Sequence, residues 1–221
     1  MSLQQENSLI AGSAGRLQVL ESRSQEAPKA LAIICHPHPL HGGTLDNKIV
    51  HQLAKSFVEL GAVSVRFNFR GVGQSEGEYD EGKGERDDLI SVVKWARQRW
   101  PGLPLWLAGF SFGGFIALDA AQTLLPDRLV TVAPAVNYFP EQPVLLDAIN
   151  WLLIHGDADD IVPWSVLEAW IGQQELKPEV VCLEGAGHFF HGRLNELRDI
   201  VLRVFSDDEC SARTGKLPKQ N

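Results

Sequence analysis

The sequence predicts an α/β fold, a mainly parallel central sheet with helices on both faces, organised as one domain. Short apolar runs of strand character alternate along the chain with longer segments of helical spacing. The runs LAIIC, LWLA and WLLIH carry almost no polar residue, as strands buried on both faces require. A chain of 221 residues is long enough for one good core and short for two.

The elements follow in order. Residues 1–30 hold one or two antiparallel edge strands, Leu17–Glu21 being one, and Leu31–Cys35 is a buried strand. Asp46–Leu60 has helical periodicity, with Ile49, Leu53, Phe57 and Leu60 on one stripe and Gly61 as its stop. Ala62–Phe69 alternates as a strand does, and Gly84–Trp100 is helical and closed by Pro101. Leu103–Ala108 is a strand, and Phe112–Leu125 a helix ended by Pro126. Arg128–Val136 and Trp151–His155 are strands, followed by a helix from about Ser165 to Gln174. Glu179–Leu183 is the last strand and Arg193–Phe205 the last helix. Periodicity is lost from about Ser206, so residues 1–205 read as the domain and 206–221 as a flexible tail.

Composition narrows the function classes. A net charge of −8 disfavours a nucleic-acid partner, whose phosphates call for clustered Lys and Arg. No run reaches the roughly 18 unbroken apolar residues of a membrane span. The N-terminal stretch MSLQQENSLIAGSAG lacks a basic region followed by an apolar one, so no signal peptide is expected. Cys35, Cys182 and Cys210 match no metal-ligand spacing and read as reduced thiols, which suits a cytoplasmic protein.

In such a sheet, ligands sit beyond the carboxyl ends of the strands. The polar residues there are His36, Arg70, Ser111, Asp157 to Asp160, and His188. Ser111 lies in Gly-Phe-Ser-Phe-Gly (residues 109–113), where a strand becomes a helix. Gly-x-Ser-x-Gly at that junction is a nucleophile elbow, in which the tight turn projects the hydroxyl above the sheet. The amide of Phe112, at the helix N-terminus, is placed to donate to an oxyanion. A serine at neutral pH needs a base, and the base an orienting acid; the fold that carries such an elbow supplies them in the chain order Ser, acid, His. Downstream, WLLIH runs into GDADDIVP and EVVCLE into GAGHFF, which supply an acid and then a histidine in that order. Asp157, Asp159 and Asp160 crowd the first loop. His188 competes with His191, which falls at the start of the last helix, and His155 reads as a satisfied core histidine.

Taken together, CHPHPLHGGTLDNKIV, RFNFRGVGQSEG and LAGFSFGG make the chain resemble the α/β-hydrolase superfamily over nearly its whole length. Within it, the resemblance is to a small bacterial group of predicted serine hydrolases. It implies that the acid is Asp159, three residues after Gly156, and that His188 in its Gly-His turn is the base. It also implies a second oxyanion donor in CHPHPLHGG, the backbone N–H of His38, with Leu40, Gly42 or Gly43 as the fallback. Pro37 replaces the glycine usual there and stiffens the loop. The superfamily's lids usually lie between the strands that here end near Val136 and start at Trp151. That gap is too short for a helical lid, so little or no cap and an open site are expected.

Leu40, Phe110, Phe139, Trp164 and Phe189, with Phe190, could form an apolar rim to a substrate pocket. His36, His38 and His41 invite a metal reading, but Pro37 and Pro39 restrict convergence of the rings, and no metal is expected. RGVGQSEG fails the dinucleotide pattern and reads as a structural turn, with Arg70 paired to an acid such as Asp80 or Glu76. The implied activity is a cofactor-independent serine hydrolase acting on a carboxylic ester or thioester of a small substrate. An aminopeptidase or amidase on the same residues is the alternative within enzymes. A non-catalytic small-molecule-binding protein is the alternative outside them.

Overall fold

A computed structural model describes residues 3–138 and 149–206. Its strands are β1 (Gln4–Gly12), β2 (Gly15–Arg23), β3 (Ala30–Cys35), β4 (Ala62–Phe67), β5 (Leu105–Phe110), β6 (Arg128–Val132), β7 (Asn150–Gly156) and β8 (Glu179–Leu183). Its helices are α1 (Lys48–Glu59), α2 (Lys83–Arg99), α3 (Phe112–Leu124), α4 (Trp164–Gln173) and α5 (Leu194–Phe205). The strands form one 8-stranded sheet in the order β1-β2-β4-β3-β5-β6-β7-β8. β1 and β2 form an antiparallel hairpin, β2 meets β4 antiparallel, and every pairing from β4 to β8 is parallel. Both expected N-terminal antiparallel strands are present, but only β1 lies at the edge; β2, which holds Leu17–Glu21, is paired on both sides by β1 and β4.

Period-2 side-chain direction splits each central strand between two cores. Leu31, Ile33 and Cys35 of β3 pack with α2, α3 and α4 on one face. Ala30, Ala32 and Ile34 pack with α1 and α5 on the other. Helix α1 shows why its segment folds as it does. Asn47 caps it by accepting from the amides of Ile49 at 2.9 Å and Val50 at 3.4 Å. Ile49, Leu53 and Phe57 are buried along one stripe, each contributing about 1.5–3 kcal/mol of apolar burial.

Two expectations are corrected. The strand read over Arg128–Val136 ends at Val132, because Ala133 takes a φ of 42° and Pro134 offers no N–H to a ladder. The chain turns there over the sheet edge, and the Ala135 amide donates to the Ser111 carbonyl at 3.1 Å. Arg70 pairs chiefly with neither Asp80 nor Glu76. Its guanidinium binds the fully buried Asp88 through two contacts of 2.8 and 3.1 Å, while Asp80 stands 3.9 Å away and Glu76 pairs with Arg16. That pair pins the turn after β4 to α2. The free thiols Cys35 and Cys182 are buried and exposed respectively, and Cys210 and the rest of 207–221 lie outside the described residues.

Candidate active site

The turn at Ser111 is dictated by sterics. Ser111 stands between β5 and α3 with φ 55° and ψ −120°, a left-handed conformation that costs a non-glycine residue about 1–3 kcal/mol. Surrounding bonds hold it there. Its amide donates to the Val132 carbonyl at 2.9 Å, and its carbonyl accepts from Phe115 at 3.1 Å. A Cβ at Gly113 would lie 2.5 Å from the Cys35 carbonyl oxygen and also against the His36 carbonyl. A Cβ at Gly109 would meet the Gly113 carbonyl, with the Gly114 nitrogen at 2.6 Å. Only glycine at both positions lets α3 close onto β3 and β5.

Three side chains distant in sequence meet above this turn. The Nε2 of His188 lies 2.9 Å from the Ser111 Oγ, and its Nδ1 lies 2.7 Å from the Asp159 Oδ2. Because the Nδ1–H donates to the carboxylate, Nε2 is left to accept from the hydroxyl. The other carboxylate oxygen, Oδ1, accepts from the amides of Ile161 at 2.9 Å and Val162 at 2.8 Å. Burial alone would raise the Asp159 pKa. The His188 hydrogen bond, aided by the Val162 and Ile161 amides, outweighs it and holds the group below its ordinary value. Asp159 is therefore a buried, ionised acceptor aimed at an imidazole.

The competing residues go elsewhere. Asp157 is exposed, and its Oδ1 accepts from the Gly185 amide at 2.6 Å, tying the loop after β7 to the one after β8. Gly156 serves the same approach, since a Cβ there would strike Ala186. Asp160 is exposed, and His191 is exposed in the turn before α5, not within the helix. His155 is buried but only half satisfied. Its Nε2 lies 2.9 Å from the Val162 carbonyl, while its Nδ1 has no partner among the described residues.

The loop after β3 is built from its histidines. His36 is fully buried; its Nε2 accepts from the Phe69 amide at 3.0 Å, and its Nδ1 donates to the Pro37 carbonyl at 2.6 Å. Burial, above all, drives its pKa down to about 4. His38 accepts from the Leu40 amide at Nδ1, 3.2 Å away, so its Nε2–H faces the Tyr79 hydroxyl at 3.2 Å. Burial and then the neighbouring His41 lower its pKa. His36 turns inward while His38 and His41 stack with ring centroids 4.5 Å apart. No group of three or more His, Cys, Asp or Glu among the described residues is placed to hold a metal ion.

A hollow of about 140 Å³ opens over Ser111 and His188. His38 and Phe112, the two expected oxyanion donors, line it, and Phe112 is the first residue of α3, where amides have no acceptor within the helix. Phe110 and Phe189 line it as expected, with the Phe110 ring 5.1 Å from that of His188. Leu40 and Trp164 do not. Leu40 sits on an exposed 3₁₀ turn that carries its side chain into solvent, and Trp164 opens α4 with its ring 5.9 Å from that of His155. Phe190 is buried in the core, and Phe139 lies outside the described residues. Tyr138 and Ile161 line the hollow without having been anticipated. Ile161 stands two residues after Asp159, whose Oδ1 accepts from its amide. No helix among the described residues is long and apolar enough to cross a membrane.

Comparison with known proteins accords with this geometry. A family model described as serine aminopeptidase, S33, matches residues 26–154. An uncharacterized protein of Rickettsia prowazekii (strain Madrid E) is 30% identical over 200 residues, 86% of this chain and 84% of that protein. An α/β serine hydrolase homologue from Coxiella burnetii is 45% identical, with a TM-score of 0.85 over 90% of this chain and 97% of its own. An α/β serine hydrolase without lid from Xanthomonas campestris is 37% identical, with a TM-score of 0.87 over 99% of this chain and 97% of its own.

Proposed function

This chain belongs to the α/β-hydrolase family described as serine aminopeptidase, S33, and from that premise we propose that it hydrolyses a carboxylic ester or thioester of a small substrate. The observation that carries the reading is the continuous relay from Ser111 through His188 to a buried, doubly amide-bonded Asp159. Ser111 attacks the acyl carbon as His188 Nε2 takes its proton, and Asp159 stabilises the imidazolium. The amides of Phe112 and His38 donate to the oxyanion of the tetrahedral intermediate. His188 then protonates the leaving alcohol or thiol, leaving an acyl group on Ser111. A water molecule, losing its proton to His188, releases the acid and restores the serine.

The family description favours a second reading, hydrolysis of an N-terminal aminoacyl bond. Such a site needs an acceptor for the substrate ammonium. Among the described residues no carboxylate lines the hollow, whose mouth is instead apolar at Tyr138, Ile161 and Phe189. A neutral, apolar acyl group suits it better. Chromogenic acyl esters, thioesters and aminoacyl amides of graded length separate the readings, and turnover of esters well above amides is expected. A fluorophosphonate probe labels the native chain and not Ser111→Ala. A well-folded native chain left unlabelled would make it a binding protein on the same scaffold.

A further inference from the structure

The relay has a fourth member behind it. His155, on β7, is 0% exposed, yet only one of its ring nitrogens is engaged among the described residues. The engaged atom, Nε2, faces the carbonyl of Val162, an acceptor, so it carries the proton. Burial above all lowers its pKa, which favours the neutral ring. The same Nε2 stands 3.7 Å from Oδ2 of Asp159, the oxygen that receives His188. Val162 in turn gives its amide to Oδ1 of the same carboxylate. One imidazole thus fixes the carbonyl of the residue whose amide fixes the acid, and presents its N–H edge to the acid's other oxygen. The Trp164 ring lies beside it, the two centroids 5.9 Å apart.

A core position with no task would hold an apolar residue here. Among the described residues the Nδ1 lone pair is a buried acceptor without a donor, which costs stability. We infer that His155 is a positioning residue for hydrolysis, holding the 159–162 turn so that Asp159 presents Oδ2 to His188, at some expense of fold stability. The inference rests on the serine-hydrolase reading above. It makes no contact with substrate necessary and adds no proton transfer.

The test compares His155→Leu, which removes the donor, with His155→Gln, whose terminal amide reaches about as far as Nε2 and still donates. With the full chain and the best ester of the panel, the leucine variant should lose about 10- to 100-fold in kcat with KM within twofold, as a small misplacement of catalytic groups does. The glutamine variant should recover most of that loss. The far-downfield proton resonance of the His188–Asp159 hydrogen bond should shift or broaden in the leucine variant alone. Native kcat and resonance in a folded leucine variant overturn the inference. So does a glutamine variant as slow as the leucine one. Should the leucine variant not fold, His155→Asn takes its place, since its shorter amide cannot reach the Val162 carbonyl. An inactive native chain that no probe labels would instead sink the hydrolase reading itself, before any variant is compared.

Discussion

Replacing Asp159 by asparagine should abolish turnover through the tautomer of a neighbouring ring, with the fold left intact. The Oδ1 position receives two backbone donors, from Ile161 and Val162. In the variant the amide oxygen must occupy that position, since an NH2 group there would face two N–H groups. The amide nitrogen is then forced to where Oδ2 meets the His188 Nδ1 at 2.7 Å. A donor in that place drives the imidazole proton from Nδ1 to Nε2. Nε2 now points a hydrogen at the Ser111 oxygen 2.9 Å away and can no longer accept its proton. The loss expected is about ten-thousand-fold in kcat, or ~5.5 kcal/mol of transition-state stabilisation. The assay is steady-state hydrolysis of the best chromogenic ester, with circular dichroism and the melting temperature to show that the fold persists. Asp157→Asn is the control. Its carbonyl oxygen can still accept from Gly185, so kcat should stay within about threefold of native, because an exposed hydrogen bond is worth only ~1 kcal/mol. A folded Asp159→Asn variant within tenfold of native activity, or an Asp157→Asn variant slower than it, would refute the assignment of the acid.

Further outcomes follow from other parts of the molecule. His36 titrates at 6.5 when unfolded and at about 4 when folded, so the unfolded chain binds more protons between those values. Stability should therefore fall as pH drops from 6.5 towards 4, by on the order of 3 kcal/mol, and this contribution should level off below pH 4. Urea unfolding of the native chain and His36→Gln at both pH values checks it, and equal pH dependence in the two would contradict it. Gly113→Ala should destabilise by about 3 kcal/mol or prevent folding, because its methyl group would overlap the backbone of Cys35 and His36; the urea midpoint measures this. Asp88→Leu strands the Arg70 guanidinium, whose side chain is only 9% exposed, and should cost about 3–5 kcal/mol. An Arg70→Met, Asp88→Leu double variant more stable than the single one would confirm the stranded charge as the cause.

The alternation of elements and the burial of the central strands were open to sequence reading because both follow from local periodicity. Leu31, Ile33 and Cys35 had to point one way and Ala30, Ala32 and Ile34 the other, whatever lay beyond them. Ser111 was legible for a related reason, since its turn carries glycines at 109 and 113 where a Cβ would strike backbone, and His188 was legible from its place just after the last strand. The partners of long side chains were not legible. Arg70 had Glu76 and Asp80 nearby in the chain, yet it chose Asp88, which a helix carried to its side. The pocket rim failed likewise at Leu40 and Trp164. Apolar character sets whether a residue can border a hollow, but the turn geometry after β3 and the start of α4 set where each side chain goes. His155 looked like ordinary core, because nothing in a sequence tells a satisfied ring nitrogen from an orphaned one.

His188 follows a strand at the edge of the sheet. β8 has five residues, mostly in contact with solvent on their side chains, and among the described residues its one strand partner is β7, while His188 rides on the bend just past it. Gentle warming or low denaturant should loosen that border before the inner ladders give way. Chemistry would then fade while the bulk of the scaffold still stood, so that residual activity reports the state of one outer ribbon and says little about the rest.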